Sequence, residues 1–375
     1  MGPFMPAGST AVPVRLVEDE LSRQMQALQG GDESPVHRAC MSNLVIFCDQ
    51  RSQAEEIAGL VPQIVAAHPA RVLLVVGESG EPDAEGVSAS AVVREMETGR
   101  NQRSFSEQIT LHASAGGIGR LPFAVRALLI GDLPINLWWA THQPPPLAGP
   151  LLYDLAENAQ QIIYDSLGWV DPTRAVAATY SWLHEFELGL RGGHWRVASD
   201  LNWRRLKFWR RITKQAFEDA AAPGAVASAT ELVVDHGPHA VVQAWELVSW
   251  LTSQLGWTVQ TGNVQQGLEI GWQFHTPHGV VPVRIRRLPE GPPEVLTLRL
   301  QCMLGGTPGA VVIRAEESRR HVVVLENVVS APRSANFQAP SLAELLSKQL
   351  SDRERDPVFT ESMAVAQLLA RSVLD

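Results

Sequence analysis

The stretch NLVIFCDQRSQAEEIAGLVPQIVAAHPARVLLVVG, residues 43–77, decides the fold of the first half of the chain. Its two ends, 43–48 and 71–77, are continuous apolar runs after one polar residue each, Asn43 and Arg71, and Glu55, Ile57, Leu60 and Val65 between them lie in a helical stretch. Pro62 falls inside that helix and predicts a kink. Apolar strands that do not alternate with polar residues, joined by a helix, indicate a parallel sheet covered on both faces.

Outward from this unit the pattern continues. SASAVVREM and EQITLHA flank the polar ETGRNQRS as an antiparallel hairpin. Pro122 opens a helix reaching Ile130, and INLWWA (135–140) and QQIIYDS (160–166) read as further buried strands. These elements compose a Rossmann-like α/β domain with a mostly parallel sheet over residues 36–168. Residues 1–35, rich in Gly, Pro, Ser and acids, read as a loosely attached arm.

From Asp171 and Pro172 a helix runs through Ala175, Tyr180, Leu183 and Phe186. A second, His239 to Leu255, sets Val241, Trp245, Val248 and Leu255 on one face. WTVQ, LEIGWQFHT, VVPVRIRRL, VLTLRLQCML, AVVIRA and HVVVLEN follow as strands in series, the pattern of an antiparallel meander. Residues 169–375 are therefore expected as an α+β domain with an antiparallel sheet. Two closing helices, 341–350 and 357–369, would cover that sheet or reach a partner.

A net charge of -9 and pI near 5.7 argue against a general nucleic-acid or anionic-membrane binder. Three cysteines without a CxxC indicate neither a disulfide scaffold nor a zinc cluster and fit a reducing, cytoplasmic setting. No secretion signal and no apolar run long enough to span a bilayer is legible. There are 11 tryptophans against 3 tyrosines, so it matters whether they fill cores or surfaces.

Four features bear on chemistry. SAGGIGRLP lies between a strand and a helix, and the amides around Gly116, Gly117 and Gly119 could cradle an anion. Pro122 stands where the dinucleotide fingerprint needs its third glycine, so a structural turn is the competing reading. HGPH and HTPH (His236, His239, His275, His278) could supply imidazoles to a metal, but the prolines place them at turns and no Cys or acid clusters beside them. No motif for nucleophilic catalysis is present. Cys48, ending a central strand, is the thiol expected to be reachable, and Cys302 is expected buried. An extended strand would hold Cys40 and Cys48 roughly 26 Å apart, beyond disulfide reach.

The fourth feature is RGGHWRVASDLNWRRLKFWRRITK, residues 191–214, with eight Lys or Arg against one acid, Asp200. With Asp200 as N-cap of one helix, Leu206, Trp209, Ile212 and Ala216 share an apolar side. Arg204, Lys207, Arg210, Arg211 and Lys214 share the other. Trp203 falls in the basic sector, the composition of an interface anchor, while Arg205 points to the apolar side and needs an acidic or carbonyl partner. A solvated basic face is the alternative.

The blocks RACMSNLVIFC (38–48), HPARVLLVVG (68–77), GDLPINLWWA (131–140), IIYDS (162–166), DLNWRRLKFWR (200–210) and DPVFTES (356–362) together resemble the OpcA family. The pairing of GDLPxxLWW with DLNWxRLxxWR is its most specific part. The resemblance implies a non-catalytic activator that binds the glucose-6-phosphate dehydrogenase oligomer, promotes its active form and so favours NADPH production in the oxidative pentose phosphate pathway. The RACMSNLVIFC wording resembles the cyanobacterial branch and implies thioredoxin-linked redox control. It implies no cofactor and no catalytic residue. The alternative is a sugar-phosphate or nucleotide-binding enzyme using the α/β domain.

Overall fold

The computed structural model describes residues 3–29, 37–38, 40–79, 86–98, 102–187, 196–218, 222–265, 267–316, 320–326, 332–336 and 338–374. The first sheet contains β1 (Thr10–Val12), β2 (His37–Arg38), β3 (Ser42–Cys48), β4 (Ala70–Glu78), β5 (Val87–Thr98), β6 (Gln102–Ser114), β7 (Ile135–Trp139), β8 (Gln161–Tyr164) and β9 (Val197–Asp200). Its order is β1-β5-β6-β4-β3-β7-β8-β9, with β2 beside β6. The run from β6 to β9 is parallel throughout. Numbered by sequence, those six parallel strands stand 3-2-1-4-5-6, the Rossmann order. β5 extends the sheet antiparallel to β6, as the hairpin predicts.

The unbroken apolar strands are explained by cover on both faces. Val45, Phe47, Leu73 and Val75 face a cluster that includes Leu121 and Val125 of α3 (Leu121–Leu128) and Leu152 of α4 (Pro150–Leu155). Leu44, Ile46, Val72 and Leu74 face Ile57, Val61 and Ile64 of α2 (Arg51–Ala67). Pro62 is accommodated within α2.

The arm is not loose. Within residues 3–29, β1 pairs with β5, and α1 (Val17–Gln29) buries Val17 and Leu21 completely. Glu18 of α1 binds the guanidinium of Arg71, which is 2% exposed and also bonds Glu107 and the Leu128 carbonyl. The arm's polar composition hid one amphipathic face.

The second sheet comprises β10 (Glu231–His236), β11 (Thr258–Gln265), β12 (Glu269–Thr276), β13 (Gly279–Arg287), β14 (Val295–Leu304), β15 (Thr307–Glu316), β16 (Arg320–Glu326) and β17 (Arg333–Asn336). Its order is β11-β12-β13-β10-β14-β15-β16-β17, antiparallel except where β10 lies parallel to β13. A simple meander is thus corrected: β10 inserts between β13 and β14. α5 (Pro172–Glu187), α6 (Leu201–Arg205), α7 (Lys207–Phe217), α8 (Val241–Leu255), α9 (Leu342–Ser351) and α10 (Pro357–Leu374) complete the fold. α8 is buried on every side from Val242 to Thr252 rather than along one face, because α10 and α5 pack against it. α9 does not cover the second sheet. It crosses back to α2, placing Leu345, Leu346 and Leu350 in the core under the first sheet.

Candidate functional site

The basic segment builds the site, though not as one straight helix. Asp200 ends β9 and caps α6, accepting from the Asn202 amide at 2.7 Å. The helix breaks at Leu206 and resumes as α7, whose Phe208, Trp209, Ile212 and Ala216 are buried. Leu206 is buried with them, so the apolar side is as expected. Lys207, Arg211 and Lys214 are exposed on the opposite side, and among the described residues Lys207 and Arg211 meet no carboxylate at ion-pair distance. Residues 191–195 of the segment lie outside the described residues.

Trp203 corrects the exposed-anchor expectation. It is 5% exposed, its indole N–H donates to Asp356 at 2.8 Å, and its ring tilts against Phe359. The break at Leu206 turns α6 inward, which a continuous 100° projection does not anticipate. Arg210 lies over the Trp203 ring at 3.5 Å and donates to the Trp203 carbonyl. Burial pulls its guanidinium down to about 10. Arg204 is held by Gln349 and Asp352, and Arg205 forks onto Asp165 with two 2.7 Å bonds, the acidic partner its position required.

Trp203, Arg204 and Arg210 form one wall of a cavity of about 340 Å³; Gln349 of α9 with Asp352 and Asp356 of the α9–α10 link form the other. Four of the six basic-sector residues, Trp203, Arg204, Lys207 and Arg210, line it; Arg211 and Lys214 lie outside its lining. Asp200 also lines the cavity, and its charge acts on Glu246 of α8, which is 1% exposed. Burial and the neighbouring Asp165 push Asp200 up to about 7; burial and Asp200 raise Glu246 well above the carboxylate range. Glu246 was not legible as a site residue. Its one signal was an acid inside an otherwise apolar helix.

Gly116, Gly117 and Gly119 form a short turn, Ala115–Arg120, ahead of α3. Gly117 is buried, and a Cβ there would stand 2.7 Å from the Gly86 carbonyl, so close backbone approach requires glycine. The place where this topology holds a dinucleotide is the crossing after β3. There the two-residue link Asp49–Gln50 leads directly into α2 without a glycine. Arg51 reaches Glu78, whose carboxylate lies 2.6 Å from His112, and Phe47 stacks on Trp139 across the ends of β3 and β7.

Cys48 is fully buried, and burial beside Asp49 pushes its thiol far up, contrary to the reachable thiol expected. Its strand end is covered by α2. Cys302 is buried as expected, and Cys40 is half-buried before β3. A thiol reagent is therefore expected to label Cys40 first and Cys48 and Cys302 only on unfolding, read by peptide mapping. Among the described residues no cluster of His, Cys, Asp and Glu could hold a metal: His236 is buried and bonds the Gly237 carbonyl, and His275–His278 brackets the β12–β13 turn.

Family models match both halves of the chain: the glucose-6-phosphate dehydrogenase subunit N-terminal domain over residues 61–181 and its C-terminal domain over 196–363. The chain belongs to the OpcA family. Curated OpcA-family relatives named OxPP cycle protein OpcA occur in Synechocystis sp. (26% identity over 330 residues, 83% of this chain) and Synechococcus elongatus (26% over 279 residues, 71%). The chain spans 65% and 60% of their respective lengths. Among solved structures it resembles an oxidoreductase from Sinorhizobium meliloti (TM-score 0.50, 8% identity, covering 90% and 97% of the two chains). It equally resembles a super-repressor mutant of Gal80p from Saccharomyces cerevisiae (0.50, 9%, 89% and 95%). These likenesses show the fold alone. No described helix of this OpcA-family chain is long and apolar enough to cross a membrane.

Proposed function

We propose that this chain binds glucose-6-phosphate dehydrogenase and favours its active oligomer without chemistry of its own, supporting NADPH supply in the oxidative pentose phosphate pathway. One observation carries the reading: both halves of the chain match a family described as a subunit of that enzyme. The glycine-free crossing after β3 supports a non-catalytic role, since the dinucleotide loop of this topology is not built there. An activator of this kind works by binding the active state more tightly than the inactive one. Tenfold activation requires about 1.4 kcal/mol of such preference.

The docking surface proposed is the stripe Lys207, Arg211 and Lys214 with the adjoining cavity rim at Arg204 and Arg210. In a chain of net charge -9 it suits an acidic surface on the dehydrogenase. If redox control through thioredoxin operates, we propose that it acts on the dehydrogenase or on Cys40, since Cys48 and Cys302 are enclosed. Mixing the chain with its host's dehydrogenase is expected to give co-elution and a raised rate; failure of both, under reducing and oxidising conditions, would refute the proposal. Replacing Lys207, Arg211 and Lys214 together by Ala is expected to weaken the complex about tenfold and flatten its salt dependence, with each exposed change moving stability by no more than about 0.5 kcal/mol. Titration calorimetry at two ionic strengths, with a melt of the free variant, checks this.

A further inference from the structure

We infer that β11, the free edge of the second sheet, pairs antiparallel with β11 of a second copy of this chain, joining two eight-stranded sheets into one. The inference rests on how the sheet edges differ and is separate from the docking surface proposed above. Among the described strands the two sheets end in four edges, β1, β9, β11 and β17. β1, β9 and β17 run only three, four and four residues. β11, Thr258–Gln265, runs eight. A short edge offers little to an incoming strand, and a long one is ordinarily blunted by charge, proline or a bulge. TVQTGNVQ contains no charged residue and no proline.

The protection β11 does have is one bulge, where its register against β12 shifts between Val259 and Thr261, and Thr261–Gln265 beyond it pair regularly. Among the described residues β12 is the only strand paired with β11. α10 supports β11 from the core side, so closely that a Cβ on Gly262 would stand 2.5 Å from Val373. That support holds the strand without covering its edge, for Thr261, Asn263, Val264 and Gln265 are all exposed. Val264 is 45% exposed, Leu268 in the following turn 59% and Leu374, next to Val373, 53%. A row of open amides and carbonyls flanked by apolar side chains is a template for another strand.

Charge selects the occupant. With a net charge of -9, two copies repel over most of their surface and approach at least cost where charge is absent. A twofold axis sets equal residues of the two strands near one another, and like charges opposite each other destabilise an antiparallel pair. β11 has no charge to oppose. Beside it on the outward face, Asn263, Gly271, Gln273 and Pro282 border a cavity of about 330 Å³ whose charged members, Glu269 and Arg284, stand 3.8 Å apart as an ion pair. The ground flanking the edge is therefore neutral as well. α7, which presents the docking stripe, packs against β15, five places along the sheet and roughly 24 Å away at about 4.8 Å per strand, so the pairing leaves the stripe clear. A contact made by one strand and its rim is smaller than a standard interface, so monomer and dimer should interconvert with concentration.

The test is light scattering on the full chain, diluted from about 100 µM, with hydrogen exchange measured at the two extremes. The expected result is a dimer at high concentration and a monomer on dilution, with the amides of residues 258–265 exchanging at least about tenfold more slowly in the dimer. Asn263→Lys and Val264→Lys each place a cation on the exposed strand, on opposite faces. Each should weaken association by at least about tenfold and melt with the wild type. Two separate variants guard against one failing to fold. A wild type that stays monomeric up to about 100 µM would overturn the inference. So would a dimer that persists in a folded lysine variant, or one whose exchange protection falls outside β11. If residues 258–265 are protected only when the host's dehydrogenase is added, and the chain alone stays monomeric, the edge serves that partner and pairing with a second copy is refuted.

Discussion

Arg71→Met is expected to lower the unfolding free energy by about 3–5 kcal/mol, the cost of removing one member of a buried ion pair. Arg71 stands opposite Glu107 on the neighbouring strand, Nε 2.8 Å from the carboxylate, and Glu107 is 0% exposed. Its Nη1 also satisfies the Leu128 carbonyl at the end of α3. Removing the cation leaves that carboxylate in a low-dielectric interior without the charge set against it, a penalty that is a large fraction of a typical domain's stability of about 5–15 kcal/mol. Glu18→Ala should cost less than about 1 kcal/mol, since its side chain is half exposed and water can replace it at the guanidinium. Arg71→Met with Glu107→Leu should regain a large part of the loss, because the same volume is then apolar. Urea unfolding of the three variants decides it: if the double variant is as unstable as Arg71→Met alone, the buried charge is not the cause.

How far the sequence could be read follows from which forces act locally. β3, α2 and β4 were legible because a strand buried on both faces has to be apolar at every position, a signal contained in six or seven residues. β9 and β10 were not. Val197–Asp200 is four residues inside a basic segment, and its strand character comes from pairing with β8, far away in sequence. β10 was hidden because consecutive strands usually neighbour each other, whereas here a parallel pairing to β13 separates β13 from β14. The resemblance blocks at 131–140, 162–166 and 200–210 mark β7, β8 and the β9–α6 turn, strands that lie side by side, with 356–362 meeting them through Asp356 and Phe359. Sequence spacing could bring these blocks to notice but not together. Glu246 shows the same limit: the charges that act on it, Asp200, Arg210 and Asp165, arrive from elements distant in sequence.

Trp203→Ala, the second large effect, separates the structural role of this residue from the anchor role that helix projection assigned to it. The side chain buries its ring against Phe359 and under the Arg210 guanidinium and satisfies Asp356 Oδ2, whose other oxygen accepts from the Phe359 amide at the start of α10. Truncation opens a cavity between α6, α7 and α10, so a loss of about 3–5 kcal/mol is expected, with water free to replace the indole at the exposed Asp356 carboxylate. Trp203→Phe keeps most of the packing and removes the indole donor to an exposed carboxylate, for about 0.5–1.5 kcal/mol. An exposed interface anchor would behave oppositely, with affinity lost and the urea midpoint unchanged. Both variants should therefore be unfolded in urea and titrated with the dehydrogenase well below their melting temperatures. Unchanged stability of Trp203→Ala with a hundredfold loss of binding would restore the anchor reading and refute the packing described for α6.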